Sequence, residues 1–79
     1  MSESEVATKV ILYTAPNCST CDHARDGLRA EGVDFEERDI MVKQQWFDEV
    51  LLYAVSVPVI LRGEKVQVGW SRSMGCYIV

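Results

Sequence analysis

What this chain of 79 residues has little of narrows its function before any motif is considered. Its three cysteines are an odd count, below the four, six or eight of a secreted disulfide framework. No run approaches the ~20 apolar residues that cross a bilayer, so no membrane association is expected. The opening MSESEVATKV carries neither the basic region nor the apolar stretch of a signal peptide. The expected location is therefore cytoplasmic, where a close cysteine pair is more often catalytic or metal-binding than structural. Eight basic against twelve acidic residues leave a net charge of -4. With no excess of Lys and Arg to neutralise phosphates, nucleic-acid binding is not expected as the main activity. A structural zinc site needs about four ligands, and beside one cysteine pair there are only the single His23 and the distant Cys76.

What is present is enough to build one small core. Apolar residues make up 48% of the chain, and at this length one domain over residues 1–79 is expected, with no linker and no repeat. After a polar start expected to fray, Val10 to Tyr13 is a continuous apolar, partly β-branched run that reads as a strand buried on both faces. From Cys18 to about Glu31 the apolar residues Cys21, Ala24 and Leu28 recur at helical spacing, and Gly32 closes the helix. Val33 to Ile40 alternates apolar and acidic residues, the pattern of a half-buried or edge strand. Strand, helix and strand with short connections make a right-handed crossover and a parallel pair.

Between Lys43 and Ala54, Trp46, Val50 and Tyr53 share one helix face, and Phe47, Leu51 and Ala54 an adjacent one. The segment SVPVIL reads as a strand with Pro58 at its start, because proline cannot donate to a ladder. A turn at Gly63 leads to a last strand in which Val66 and Val68 alternate with Lys65 and Gln67, ending at Gly69. The remaining WSRSMGCYIV is too short for a long closing helix. The expected order is β-α-β-α-β-β.

The cysteines of YTAPNCSTC sit between the first strand and the first helix. Cys18 falls at the helix mouth, where unpaired N–H groups and the positive end of the helix dipole favour an anion such as a thiolate. A thiolate is the form that attacks disulfides, so Cys18 is expected to be the exposed, activated nucleophile. Cys21 lies one turn further on the same face, turned toward the protein, and is expected to resolve the mixed disulfide. The competing readings are a metal carrier holding iron-sulfur or zinc through Cys18, and an inert cysteine pair in an interaction domain. His23, among charged neighbours, reads as a solvated surface residue.

At this point the chain resembles the glutaredoxin-like branch of the thioredoxin fold over nearly its whole length. The stretches that carry the resemblance are YTAPNCSTC, AEGVDFEERDI, SVPVI and VGW. The resemblance implies an α/β thioredoxin-like fold with a four-stranded mixed sheet and a shortened or missing C-terminal helix. It implies a dithiol-disulfide oxidoreductase acting as disulfide reductase or electron donor. Pro58 is then a cis-proline beside the cysteines, with the backbone of Val57 offered to a partner's extended chain. Pro16, Val57, Pro58, Gly69 and Trp70 are the expected substrate-lining residues.

The departures concern the reductant. Glutaredoxins that use glutathione carry Pro-Tyr between the cysteines, a basic residue before them, and a double glycine with an acidic group after the last strand. Here those places hold Ser19-Thr20, Ala15-Pro16-Asn17 and Gly69-Trp70-Ser71-Arg72-Ser73. The Gly-aromatic-Arg run is similar to small redoxins that pass electrons from thioredoxin reductase to ribonucleotide reductase, although the usual Pro-Asp after the Arg is absent. The resemblance thus implies no bound cofactor, and glutathione or a thioredoxin reductase as electron source. The implied partners are a disulfide-bearing protein or glutathione mixed disulfide, with ribonucleotide reductase a candidate, and a monomer is expected. Trp70 is read either as a docking surface or as a cap on the core. Cys76 is read as an incidental, partly buried thiol rather than the seat of an intermolecular or glutathione disulfide, and a missing last helix would leave one sheet face thinly covered.

Overall fold

A computed structural model describes residues 9–73 and 75–79. The expectation of a frayed start falls on residues outside these. Among the described residues, six strands and two helices follow in the order β1 (Val10–Thr14), α1 (Ser19–Ala30), β2 (Phe35–Asp39), α2 (Gln44–Val50), β3 (Ser56–Val57), β4 (Val59–Arg62), β5 (Lys65–Val68) and β6 (Cys76–Tyr77). The main sheet runs β2-β1-β4-β5, and a separate two-stranded sheet pairs β3 with β6. β2 is parallel to β1 through the α1 crossover, whereas β4 and β5 run antiparallel to their neighbours. This is the mixed α/β arrangement that the element order implies.

Alternation along β1 and β4 splits the core into two clusters, one on each face of the sheet, because successive strand side chains point to opposite sides. Tyr13, Val50, Val57 and Val59 form one, with Ile11, Trp46, Phe47 and Leu61 packed against it, and Cys18 and Cys21 belong to it. Val10, Leu12, Ala24, Leu28 and Ile60 form the other, with Phe35 and Trp70 at its margin. β2 shows the same division in its charges. Glu37 receives Arg25 of α1 at 2.8 and 2.6 Å, while its neighbour Arg38 reaches Glu49 of α2 at 2.8 Å. The two helices therefore cover opposite faces of the sheet.

Three elements differ from the sequence expectation. The second helix ends at Val50 rather than Ala54. The carbonyl of Glu49 accepts the Leu52 N–H and that of Val50 accepts both Tyr53 and Ala54, so the last turn tightens to three-residue spacing. Leu51 and Tyr53, assigned to its apolar stripe, consequently point outward, 40% and 43% exposed. SVPVIL is two strands, broken where Pro58 has no N–H to give. The tail is neither a helix nor unstructured, since Cys76–Tyr77 forms the strand β6.

The thin covering expected of one sheet face is confined to β5. All four of its residues are exposed. The α1 face is closed instead by Trp70, whose indole lies so close over Gly27 that a Cβ there would collide with it.

Candidate active site

The turn Ala15-Pro16-Asn17 delivers the chain from β1 into α1 with Asn17 in the left-handed region (φ 61°), a conformation asparagine tolerates. Cys18 is the N-cap of α1. Its backbone is extended and its Sγ accepts the Cys21 N–H at 3.4 Å, while its carbonyl starts the helical ladder at Asp22 N. The helix thus aims an unpaired backbone donor at the sulfur.

Burial alone pushes the Cys18 thiol up, but hydrogen bonds from the Cys76 and Cys21 thiols and from the Cys21 and Thr20 N–H groups outweigh it, and Cys18 lies below its ordinary value of 9.0. Cys21 moves the opposite way. It is fully buried, and burial first, then its hydrogen bond to Cys18, hold it protonated. The two sulfurs are therefore polarised as an easily ionised thiol and a proton-retaining one.

Cys18 is nevertheless not exposed as the sequence suggests, being only 2% accessible. The reason is what lies over it. The Val57–Pro58 bond is cis, Val57 O stands 3.8 Å from Cys18 Sγ, and β6 runs antiparallel along Val57 with Cys76 directly opposite. Cys76 and Ile78 pack against the cluster that contains Cys18. Cys76 is read from sequence as incidental, but the fold sets it at the centre.

The other expected site residues divide. Val57 and Pro58 are buried beside the cysteines. Gly69 stands behind them, donating its N–H to Pro58 O at 2.9 Å with a φ of 85° that disfavours other residues. Pro16 is exposed on the approach to Cys18. Trp70 is not brought to the cysteines, because its ring rests on Gly27, nine positions along α1 from Cys18 and some 13 Å at 1.5 Å per residue. Of its two readings, core cap is the one the packing supports.

Two features escape sequence reasoning. Thr20, one of the polar residues between the cysteines, is buried and shares a 2.8 Å hydrogen bond with Ser73. Gly75 packs so tightly on Val57 O and Pro58 Cδ that no side chain fits, and its φ is 94°. The signal for the second was present: a glycine followed by the β-forming Cys-Tyr-Ile-Val, opposite a strand edge that Pro58 leaves open. Among the described residues, no group of three or more His, Cys, Asp or Glu is arranged to hold a metal ion.

Strand, N-capping cysteine, helix and a cis-proline facing the cysteines define a dithiol protein of thioredoxin-like fold. The Glutaredoxin family model matches residues 10–66, and the chain belongs to the glutaredoxin family. In structure it is similar to the glutaredoxin-like protein NrdH-redoxin of Escherichia coli, for which a thioredoxin-like activity profile is described (TM-score 0.74, 19% identity, covering 84% of this chain and 88% of that one). It is also similar to a glutaredoxin from Archaeoglobus fulgidus (TM-score 0.70, 24% identity, 90% and 85% covered). At these identities the two likenesses speak for the fold.

In sequence it is 39% identical over 54 residues to the Gene 56 protein of Mycobacterium phage L5, covering 66% of this chain and 52% of that protein. It is 41% identical over 34 residues to the global transcriptional regulator Spx of Lactiplantibacillus plantarum, covering 43% and 26%. The chain thus spans about half the length, or less, of the curated relatives it matches.

Proposed function

We propose that this protein is a cytoplasmic dithiol-disulfide oxidoreductase that reduces a partner's disulfide. Cys18 as thiolate attacks one sulfur of the partner, forming a mixed disulfide and releasing the other sulfur as a thiolate. Cys21 then attacks Cys18 Sγ, freeing the partner's second thiol and leaving Cys18 and Cys21 oxidised. The observation that carries this reading is the placement of the pair, with Cys18 Sγ at the helix N-cap accepting the Cys21 N–H and Cys21 fully buried one turn behind it, an arrangement in keeping with a lowered Cys18 and a raised Cys21.

The oxidised pair is regenerated by a flavin-dependent thioredoxin reductase in preference to glutathione. The Ser73 hydroxyl, at the place where glutathione users carry an acidic group, is engaged by Thr20 and by the Gly75 N–H and carries no negative charge to pair with glutathione's amino end. A disulfide-forming enzyme of the ribonucleotide reductase type fits as the partner. Supplying the oxidised protein with either reduced glutathione or thioredoxin reductase plus NADPH tests the assignment. Faster thiol formation with the reductase is expected, and reduction by glutathione alone would reverse the choice. Loss of insulin-disulfide reduction in Cys18→Ser tests the chemistry, and full activity in that variant would sink it.

A further inference from the structure

A third cysteine borders this site: Cys76 packs against the cluster that contains Cys18 and Cys21, and it is carried on a strand with no part in the cycle just described. β6 pairs with Ser56 and Val57, the edge an incoming extended chain would use, and Ile78 N continues the ladder to Val55 O at 2.9 Å. The seating is specific: Gly75 is the residue that lets the backbone press on Val57 and Pro58. In this register Cys76 stands opposite Val57, whose carbonyl also faces Cys18 Sγ. The tail therefore lies on the site as an internal stand-in for a bound partner.

Resting on the dithiol reading above, we propose that Cys76 is a second resolving cysteine. Its Sγ attacks Cys18 Sγ in the mixed disulfide once the partner's chain has left the edge of Val57 and β6 has returned to it. The Cys18–Cys76 bond forms, the bond from Cys18 to the partner breaks, and the partner leaves as a thiolate that takes up the proton lost by Cys76. No further oxidant enters, because the partner's disulfide has already supplied the two-electron oxidation. Cys21 can then attack Cys18 Sγ and expel Cys76, which converts one internal disulfide into the other.

The two resolving thiols differ in how they are restrained. Cys21 is held protonated chiefly by burial, which persists when Cys18 is bonded to a partner. Cys76 is held protonated first by its hydrogen bond to the Cys18 sulfur and is only half-buried. The restraint on Cys76 depends on the Cys18 thiolate and is relieved when Cys18 is bonded to a partner, whereas the burial of Cys21 is not.

The test removes Cys21 and asks whether the mixed disulfide survives. Reduced Cys21→Ser and Cys21→Ala proteins are treated with glutathione disulfide, desalted, and followed by acid-quenched intact mass and non-reducing tryptic mapping. Cleavage after Lys9, Arg25 and Arg72 puts Cys18 in the peptide 10–25 and Cys76 in 73–79, so their disulfide appears as two joined peptides within a monomer. The expected result is loss of glutathione with appearance of this pair, and a lifetime of the mixed disulfide at least about tenfold longer when Cys76→Ala is added. Equal lifetimes with and without Cys76, and no joined peptides, would overturn the proposal while leaving Cys18 as nucleophile. Failure of Cys18 in either single variant to form a mixed disulfide with glutathione disulfide or with a small aromatic disulfide such as DTNB, with no Cys18–Cys76 disulfide formed, would overturn the dithiol reading itself, and this one with it.

Discussion

The two faces of the sheet are packed equally well and used differently. On the α1 face, Leu12, Ala24, Leu28 and Ile60 are fully buried and Trp70 closes the cluster over Gly27, with no reactive atom among them. On the α2 face, Val50, Val57 and Val59 are as thoroughly buried, but Cys18 and Cys21 share their cluster and a cis-proline and a glycine-dependent strand border it. Alternation along β1 and β4 is all that separates them. Both faces thus contribute packing, but only the α2 face carries cysteines, so substitutions on the α1 face are expected to perturb stability without touching the proposed chemistry.

The sharpest break is at Cys18. Cys18→Ser should lower disulfide reductase turnover by roughly 10³-fold or more, as loss of a nucleophile does, while the serine keeps the N-cap and the denaturation midpoint stays close to that of the parent. The opposite dissociation is expected of Trp70→Ala. Emptying the cap should cost about 3 kcal/mol of stability, read as a lower urea midpoint at unchanged m-value, with the Cys18 reactivity of the remaining folded protein intact. A large loss of thiol reactivity in folded Trp70→Ala would place the indole back in the functional surface and dissolve the contrast.

A smaller effect tests the cap from beneath. Gly27→Ala adds a methyl where the indole sits, an overpacking of about 1–3 kcal/mol, partly offset by the ~1 kcal/mol that alanine gains over glycine within a helix. A net loss near 1 kcal/mol is expected. Combined with Trp70→Ala the penalty should vanish and leave the helix gain, because the methyl then enters vacated space. Strict additivity of the two would show that Gly27 and Trp70 do not touch.

Much of this arrangement is legible in the residues taken in order. The run Val10 to Tyr13 and the spacing of Cys21, Ala24 and Leu28 are local patterns found as read, while the acidic segment read as a strand over Val33 to Ile40 is a half-buried edge strand confined to Phe35–Asp39. Cys18 at a helix mouth is local too. What is not legible depends on segments far apart in the chain. That Trp70 would lie on a glycine mid-way along α1, that Thr20 would bind Ser73, and that residues 76–78 would pair with 55–57 follow from the folded path, not from any short pattern. The burial of Cys18 is of this kind. A helix mouth reads as open until the strand that covers it is known.

The smallest predicted effect concerns that covering strand and is a displacement, not a loss. Alkylation of reduced protein by iodoacetamide, followed at Cys18 by peptide mapping, should rise with pH to a midpoint below the ordinary thiol value of 9.0. The sign follows from the donors that favour the thiolate over its burial. A folded-state pKa below the unfolded one also means that this ion adds stability above the unfolded value and that the contribution fades as pH falls through the folded one. Cys76→Ala removes the largest of those donors while keeping the Cys21 and Thr20 N–H groups, so the midpoint should move up toward 9.0 without reaching it. The substitution also uncovers part of the sulfur, which eases desolvation and works against the upward move. If the midpoint falls in Cys76→Ala, cover outweighs donation, and the tail acts on Cys18 as a lid more than as a hydrogen-bond partner.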